Sequence, residues 1–258
     1  MIADAICRAA GKEVPIYPGL DPRTPNGGYP TPEGALKLKN WSHRATFEKH
    51  RAVDFLYETI SAHPGEVYLL GAGSFSNIAA LLEKYPDAAT KMKELAVIAG
   101  VFDEKLSASG EMPFCNWNVW SDPHAAALLF SRVERVRVYG LEITNRLTLP
   151  REKVGELFTS GILKTVADFG EAWLSEHSMT LHDPLAAAAL FNPGLCTYRR
   201  GTVRVELQTE DEKRYARTTF TPDDSGNCEL AAGVDTGGFF KSFFKVFDSP
   251  SSAAGGGL

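Results

Sequence analysis

Three short stretches of the chain carry side chains able to do chemistry. His182-Asp183-Pro184 puts an imidazole next to a carboxylate at a helix start. Such a pair can hold a metal ion or a polar ligand. Asn116-Trp117-Asn118 sets two amides around an indole. Two amides can bind hydroxyl groups while the indole stacks on a ring, although a loop of this kind can also satisfy itself. Gly71-Ala72-Gly73-Ser74-Phe75-Ser76-Asn77 is a turn of small and polar residues behind an apolar run. It matches part of a dinucleotide fingerprint, but the third glycine and the later acidic residue are missing. The spacing predicts instead that its hydroxyls and amide cap the next helix, with the upstream carbonyls facing a ligand cavity.

The Asp183 stretch has a twin. Asp122-Pro123-His124-Ala125-Ala126-Ala127-Leu128-Leu129-Phe130 matches Asp183 to Phe191 at seven of nine positions. Each phrase predicts a helix start, with Asp capping free amides and Pro at the first helical position. Asp122 is expected to be a structural cap. His182 in front of Asp183 marks the second copy as the better candidate for a site.

Composition narrows the classes. The 258 residues carry a formal charge of -5 and no dense basic cluster, which argues against nucleic-acid binding. Cys7, Cys115, Cys196 and Cys228 are far apart and form no CxxC pair. Zinc fingers and a disulfide framework are therefore excluded, and reduced thiols in a cytoplasmic protein fit best. No apolar run is long enough for a membrane helix, and the first residues do not form a secretory signal. Neither Gly-x-Ser-x-Gly nor HExxH occurs. His43, His50, His63 and His177 are expected on surfaces or helix faces.

Positioning these groups falls to an alternation of elements. Helices are predicted at Ile2–Ala10, Phe47–Ala62, Ile78–Lys84, much of Arg151–Ser175, from Asp183 onward and at Phe239–Phe247. Val14–Tyr17 reads as a short strand and Pro18–Gly34 as a long loop. Glu66–Leu70 and Leu95–Gly100 read as strands apolar on both faces, with more strand at Val133–Val138 and Glu142-Ile143. Such strands alternating with helices predict an α/β fold with a mostly parallel central sheet and helices on both faces. Thr202–Leu207, Arg214–Phe220 and Leu230–Val234 predict a small antiparallel element near the C-terminus. One domain over 1–248 is expected, with a disordered tail at 249–258. Ligands of such sheets bind at the carboxyl ends of the strands. The Gly71–Asn77 turn, Ala99-Gly100 and the loop before Asp122 all fall at that end.

Taken in order, these stretches resemble the inosine-uridine preferring nucleoside hydrolases. The strand into Ala72–Asn77, the strand ending Ile98-Ala99-Gly100, Asn116-Trp117-Asn118 running into Asp122-Pro123, and the late His182-Asp183-Pro184 follow the family's motif order to about Phe247. The resemblance implies hydrolysis of the N-glycosidic bond of ribonucleosides to ribose and free base, with a calcium ion holding the water and the ribose hydroxyls. By position, Asp183 and the Ala72 carbonyl would be calcium ligands. His182 would assist the leaving base. Asn116, Trp117, Asn118 and Ile98 would contact the nucleoside. A small-molecule nucleoside is then the expected partner, with no nucleic acid and no membrane, and a homo-oligomer is open.

The sequence departs from the family in several respects. The Asp-x-Asp-x-x-x-Asp-Asp strand, source of the family's base and most of its calcium carboxylates, does not occur, and the family's N-terminal strands are missing from the resemblance. Asn116 stands where the family has Glu. Weak calcium binding and doubtful turnover are expected, with a non-catalytic nucleoside- or ribose-binding protein, or an inactive fragment of a hydrolase, as the alternatives.

Overall fold

The computed structural model describes residues 1–20, 33–208 and 214–247. Most of the Pro18–Gly34 loop and the 249–258 tail lie outside them. The helices are α1 (Ile2–Ala9), α2 (Ala52–Ala62), α3 (Ser76–Lys84), α4 (Ala88–Lys91), α5 (Glu104–Ser109), α6 (Trp117–Ser121), α7 (Pro123–Arg132), α8 (Leu141–Thr144), α9 (Arg151–Leu157), α10 (Gly161–Leu174), α11 (His182–Phe191) and α12 (Thr236–Phe247). The strands are β1 (Tyr68–Gly71), β2 (Glu94–Ile98), β3 (Val136–Tyr139), β4 (Thr148–Leu149), β5 (Met179–Thr180), β6 (Cys196–Val205), β7 (Thr218–Pro222) and β8 (Cys228–Val234). Short 3-10 turns run over Glu33–Asn40, Asn145–Leu147 and Pro193–Leu195.

Six strands form one sheet in the order β1-β2-β3-β8-β6-β7. The first four are parallel, and β6 runs antiparallel to both β8 and β7. The antiparallel element is thus fused to the parallel sheet through β8, and β4 and β5 make a separate two-stranded ribbon. Alternation along β2 shows how the sheet serves two cores. Leu95 and Val97 enter the core shared with α3 and α7, whereas Ala96 and Ile98 enter the core shared with α11. Both faces are covered, so β2 reads as a continuous apolar run. A fully buried leucine such as Leu95 contributes about 2 kcal/mol through this burial.

Several local expectations are corrected. Val14–Tyr17 forms no strand and pairs with no described strand. Pro15 has no amide to donate, and the Tyr17 ring packs against Phe55, centroids 4.8 Å apart. The helix expected from Phe47 begins only at Ala52, because His50 has φ +58° and breaks the helical path. Glu142-Ile143 is helical, not strand, since β3 ends at Tyr139 and the chain turns at Gly140. Ser74, Ser76 and Asn77 do not cap α3. The serine hydroxyls bond each other at 2.9 Å, and the Asn77 side chain accepts from the Leu20 amide. Asp183 does not cap α11 either. That helix starts one residue earlier, at His182, with Leu181 before it.

The buried Asp4 carboxylate holds α1 in place. It accepts from the Arg44 amide at 2.7 Å, the Arg44 guanidinium at 2.6 Å and Arg8 at 2.9 Å. Burial alone would raise its pKa, but these hydrogen bonds outweigh it and hold the group at about 2. A depressed carboxylate stabilises the fold above its ordinary pKa of 3.8 and stops doing so as pH falls through about 2. Protection of the α1 amides relative to their intrinsic exchange rates should therefore fall between pH 4 and pH 2 in the native protein, and Asp4→Asn should show the lower protection above pH 4, with the difference closing as pH falls to about 2.

One edge of the sheet is open among the described residues. β1 pairs only with β2, and Tyr68 is 40% exposed. An unpaired strand edge of apolar residues templates pairing with other chains. The chain is expected to self-associate at micromolar concentration, and Tyr68→Lys to reduce it. Sedimentation velocity giving a single monomer across that range would reject this.

Candidate functional site

The carboxyl ends of β1 and β2 open into a cavity of about 840 Å3. All of Ala72, Ile98, Asn116, Trp117, Asn118, His182 and Asp183 line it. Residues spread over more than a hundred positions of sequence are brought together because the strands are parallel. Each strand delivers its following loop to the same rim.

The walls differ in character. On one side Asn116 is the N-cap of α6, its Oδ1 accepting from the amides of Asn118 at 2.9 Å and Val119 at 3.4 Å. That side chain is nearly buried and its carbonyl oxygen is committed to the helix. Asn118 donates from Nδ2 to the Ile98 carbonyl at 3.0 Å, which locks the loop to the end of β2 and leaves the Asn118 Oδ1 to accept from a ligand. Ile98 itself is buried and offers only backbone to this rim. Trp117 is 52% exposed and stands at the cavity as an unpacked indole. Phe114 and Trp120, in T-shaped contact at 5.4 Å, extend this aromatic wall.

The twin Asp-Pro phrases have diverged in use. Asp122 is fully buried and caps α7 through the Ala125 amide at 3.0 Å. Its other oxygen accepts from the Ser76 hydroxyl at 2.6 Å, tying the turn before α3 to the helix after the Asn116 loop. Asp183 accepts no hydrogen bond from the described residues, and its side chain reaches solvent at the cavity. The surrounding protein atoms still raise its pKa above the ordinary value. His182 is bonded through Nδ1 to Thr144 Oγ1 at 2.7 Å, and burial lowers its pKa, which favours the neutral ring. Burial also pushes the Cys115 thiol up to about 12, so this cavity-lining cysteine is not a nucleophile at neutral pH.

Calcium takes six to eight oxygen ligands. The described residues offer the Asp183 carboxylate, the Ala72 carbonyl and neutral amides, and no group of three or more His, Cys, Asp or Glu side chains among them could hold a metal. This donor set does not by itself make a calcium site.

Sequence reasoning missed Phe114, Cys115, Trp120, Leu141, Asn145 and Thr180 at the cavity. Leu141 and Asn145 follow the end of β3, and the strand-end rule would have flagged them. Trp120 lies one helical turn from Trp117, which periodicity could have shown. No motif marks Phe114 or Thr180.

A mostly parallel α/β sheet thus carries a polar and aromatic cavity at its carboxyl rim, the place where ligands of such sheets bind. The family model described as inosine-uridine preferring nucleoside hydrolase matches residues 2–241, and the chain belongs to that family. It is 32% identical over 221 residues to a protein named probable uridine nucleosidase 1 from Oryza sativa subsp. japonica, covering 79% of this chain and 67% of the relative. To uridine nucleosidase 1 of Arabidopsis thaliana it is 29% identical, covering 79% and 64%. The chain thus spans about two thirds of these relatives. In fold it is similar to a purine-preferring ribonucleoside hydrolase from Gardnerella vaginalis, with a TM-score of 0.73 at 22% identity, covering 94% of this chain and 82% of that one. No helix among the described residues is long and apolar enough to cross a membrane.

Proposed function

We propose that this chain carries the nucleoside-recognising part of a ribonucleoside hydrolase site. The reaction of that site is hydrolysis of the N-glycosidic bond to ribose and free base. One observation carries the reading: seven residues matched to family motifs line a single cavity whose walls supply an indole, amides, an imidazole and one carboxylate. Trp117 would stack on a ring, Asn118 Oδ1 would accept from a ribose hydroxyl and His182 would face the base. Asp183 and the Ala72 carbonyl would be two of the six to eight oxygen ligands that calcium takes, too few to hold it alone. With one carboxylate the cation binds weakly, with Kd at or above about 10⁻⁴ M. The relatives' names include both uridine nucleosidases and purine-preferring hydrolases, so the ligand class is the nucleoside and not one base. The role proposed for it is base salvage in the cytoplasm.

Titration calorimetry with inosine, uridine and ribose, each with and without calcium, tests this. Saturable nucleoside binding that is weakened by Asn118→Ala and Trp117→Ala supports the assignment. Absence of heat at millimolar nucleoside with millimolar calcium refutes it. Binding with no base released over days would favour the second reading, a non-catalytic nucleoside-binding protein. The observation that favours it is that Asp183 is the only carboxylate among the described residues that line the cavity.

A further inference from the structure

We infer that Thr144 is a positioning residue that fixes the tautomer of His182, so that the imidazole presents an N–H, and not a bare nitrogen, to the cavity. The inference rests on the nucleoside reading only for what the N–H would meet. Its geometric part stands on the protein alone.

Thr144 is fully buried at the end of α8, beneath the rim. Its hydroxyl lies 2.7 Å from His182 Nδ1 and makes no other hydrogen bond among the described residues. A bond between a hydroxyl and an imidazole nitrogen holds one proton between the two heavy atoms. Either the hydroxyl donates to a bare Nδ1, or an Nδ1–H donates to the hydroxyl oxygen. In the second arrangement the hydroxyl proton would have no acceptor in a place closed to water. A buried donor left unmade carries a desolvation penalty that shifts the balance between the tautomers by about five- to 150-fold. The hydroxyl therefore donates, Nδ1 is the acceptor, and the ring proton resides on Nε2.

The ring is anchored at Nδ1 on its buried side and lines the cavity with the rest. Nε2 has no partner among the described residues, so its N–H is available to a ligand. A neutral donor at that place selects ligands that offer a lone pair there, such as an unprotonated ring nitrogen or a carbonyl oxygen of a base. It rejects ligands that offer a C–H or N–H instead. The chain also explains why the ring holds this pose. Thr144 sits in the one-turn helix that the Gly140 bend starts, with its own amide bonded to the Gly140 carbonyl. The Leu181 amide bonds the Leu147 carbonyl and brings the start of α11 against that turn.

The test is the nitrogen spectrum of histidine-labelled, ligand-free protein at pH about 8, where an ordinary imidazole is neutral. The His182 signals are identified by their loss in His182→Asn. The expected pattern is a protonated Nε2 and a bare Nδ1. Thr144→Val keeps the shape and removes the donor. It should shift His182 to a mixture or to the other tautomer and weaken inosine binding about five- to tenfold, and Thr144→Ser should restore both. A protonated Nδ1 in the unsubstituted protein overturns the inference, and does so even if Thr144→Val fails to fold. An unchanged Nε2–H in folded Thr144→Val overturns the role of Thr144. Because the spectra need no ligand, a failure to bind inosine would count against the nucleoside reading and leave the tautomer result standing.

Discussion

Supplied with calcium and a chromogenic riboside, the 258-residue chain should release the chromophore at less than about one thousandth of the rate of a family member carrying the aspartate-rich motif. A positioned general base accelerates such a step by about 10² to 10⁴. A bound cation that lowers the pKa of its water adds to that. Neither is assembled from the described residues. Asp183 is one carboxylate, His182 is tied to Thr144 with its neutral form favoured, and Cys115 is held protonated by burial. On the proposed reading the cavity would supply only binding and orientation, which alone leave modest catalysis. Stopped-time assays at several calcium concentrations check this. Turnover on a par with the reference enzyme would show that some other group, unmatched to the missing motif, activates the water.

The second large effect separates the two Asp-Pro helices. Asp122→Ala should destabilise the protein by about 3 kcal/mol: roughly 1 for the lost cap and the remainder for the Ser76 hydroxyl left without its charged acceptor. In a chain of this size that corresponds to a fall in melting temperature of about 6–12 °C. Asp183→Ala should change stability by less than about 0.5 kcal/mol. Its raised pKa means that the fold disfavours the ionised form, so removal is neutral or slightly stabilising. The ligand response should be reversed in order. Asp183→Ala should abolish any calcium dependence of nucleoside binding, while Asp122→Ala at a temperature where it remains folded should retain it. Equal destabilisation by the two substitutions would mean that Asp183 is a structural cap after all.

Much of the site was legible because its residues lie beside strand ends and helix starts, where type and order carry information. Asn116-Trp117-Asn118 and His182-Asp183 were readable for that reason, and the apolar runs of β1 and β2, of which only β2 is buried, pointed to the class of fold. Less was readable where two chemistries share one pattern. Asp-Pro before three alanines predicts a cap in both phrases, yet only Asp122 caps, because α11 begins at His182 and moves Asp183 into the first turn. Asn116 could be read as a ligand contact, and its Oδ1 is spent on the amides of α6. The start of α2 was misjudged because apolar periodicity continues through Phe47 while the backbone at His50 turns left-handed. Thr144 carries no local signal at all. Its meaning comes from a partner 38 residues away.

The order of the sheet has a consequence for engineering. β1 is one of the two border strands, and Ala72, the residue after it, is on the cavity lip. Any added strand that pairs with β1 in parallel must deliver its own carboxyl end to that lip, within reach of Ala72 and Asp183. The open edge therefore works as an address. A separately made peptide or domain offering one compatible strand could be recruited there by backbone pairing alone, and whatever side chains end that strand would become a new wall of the cavity. In this chain one border of the sheet and the border of the site coincide.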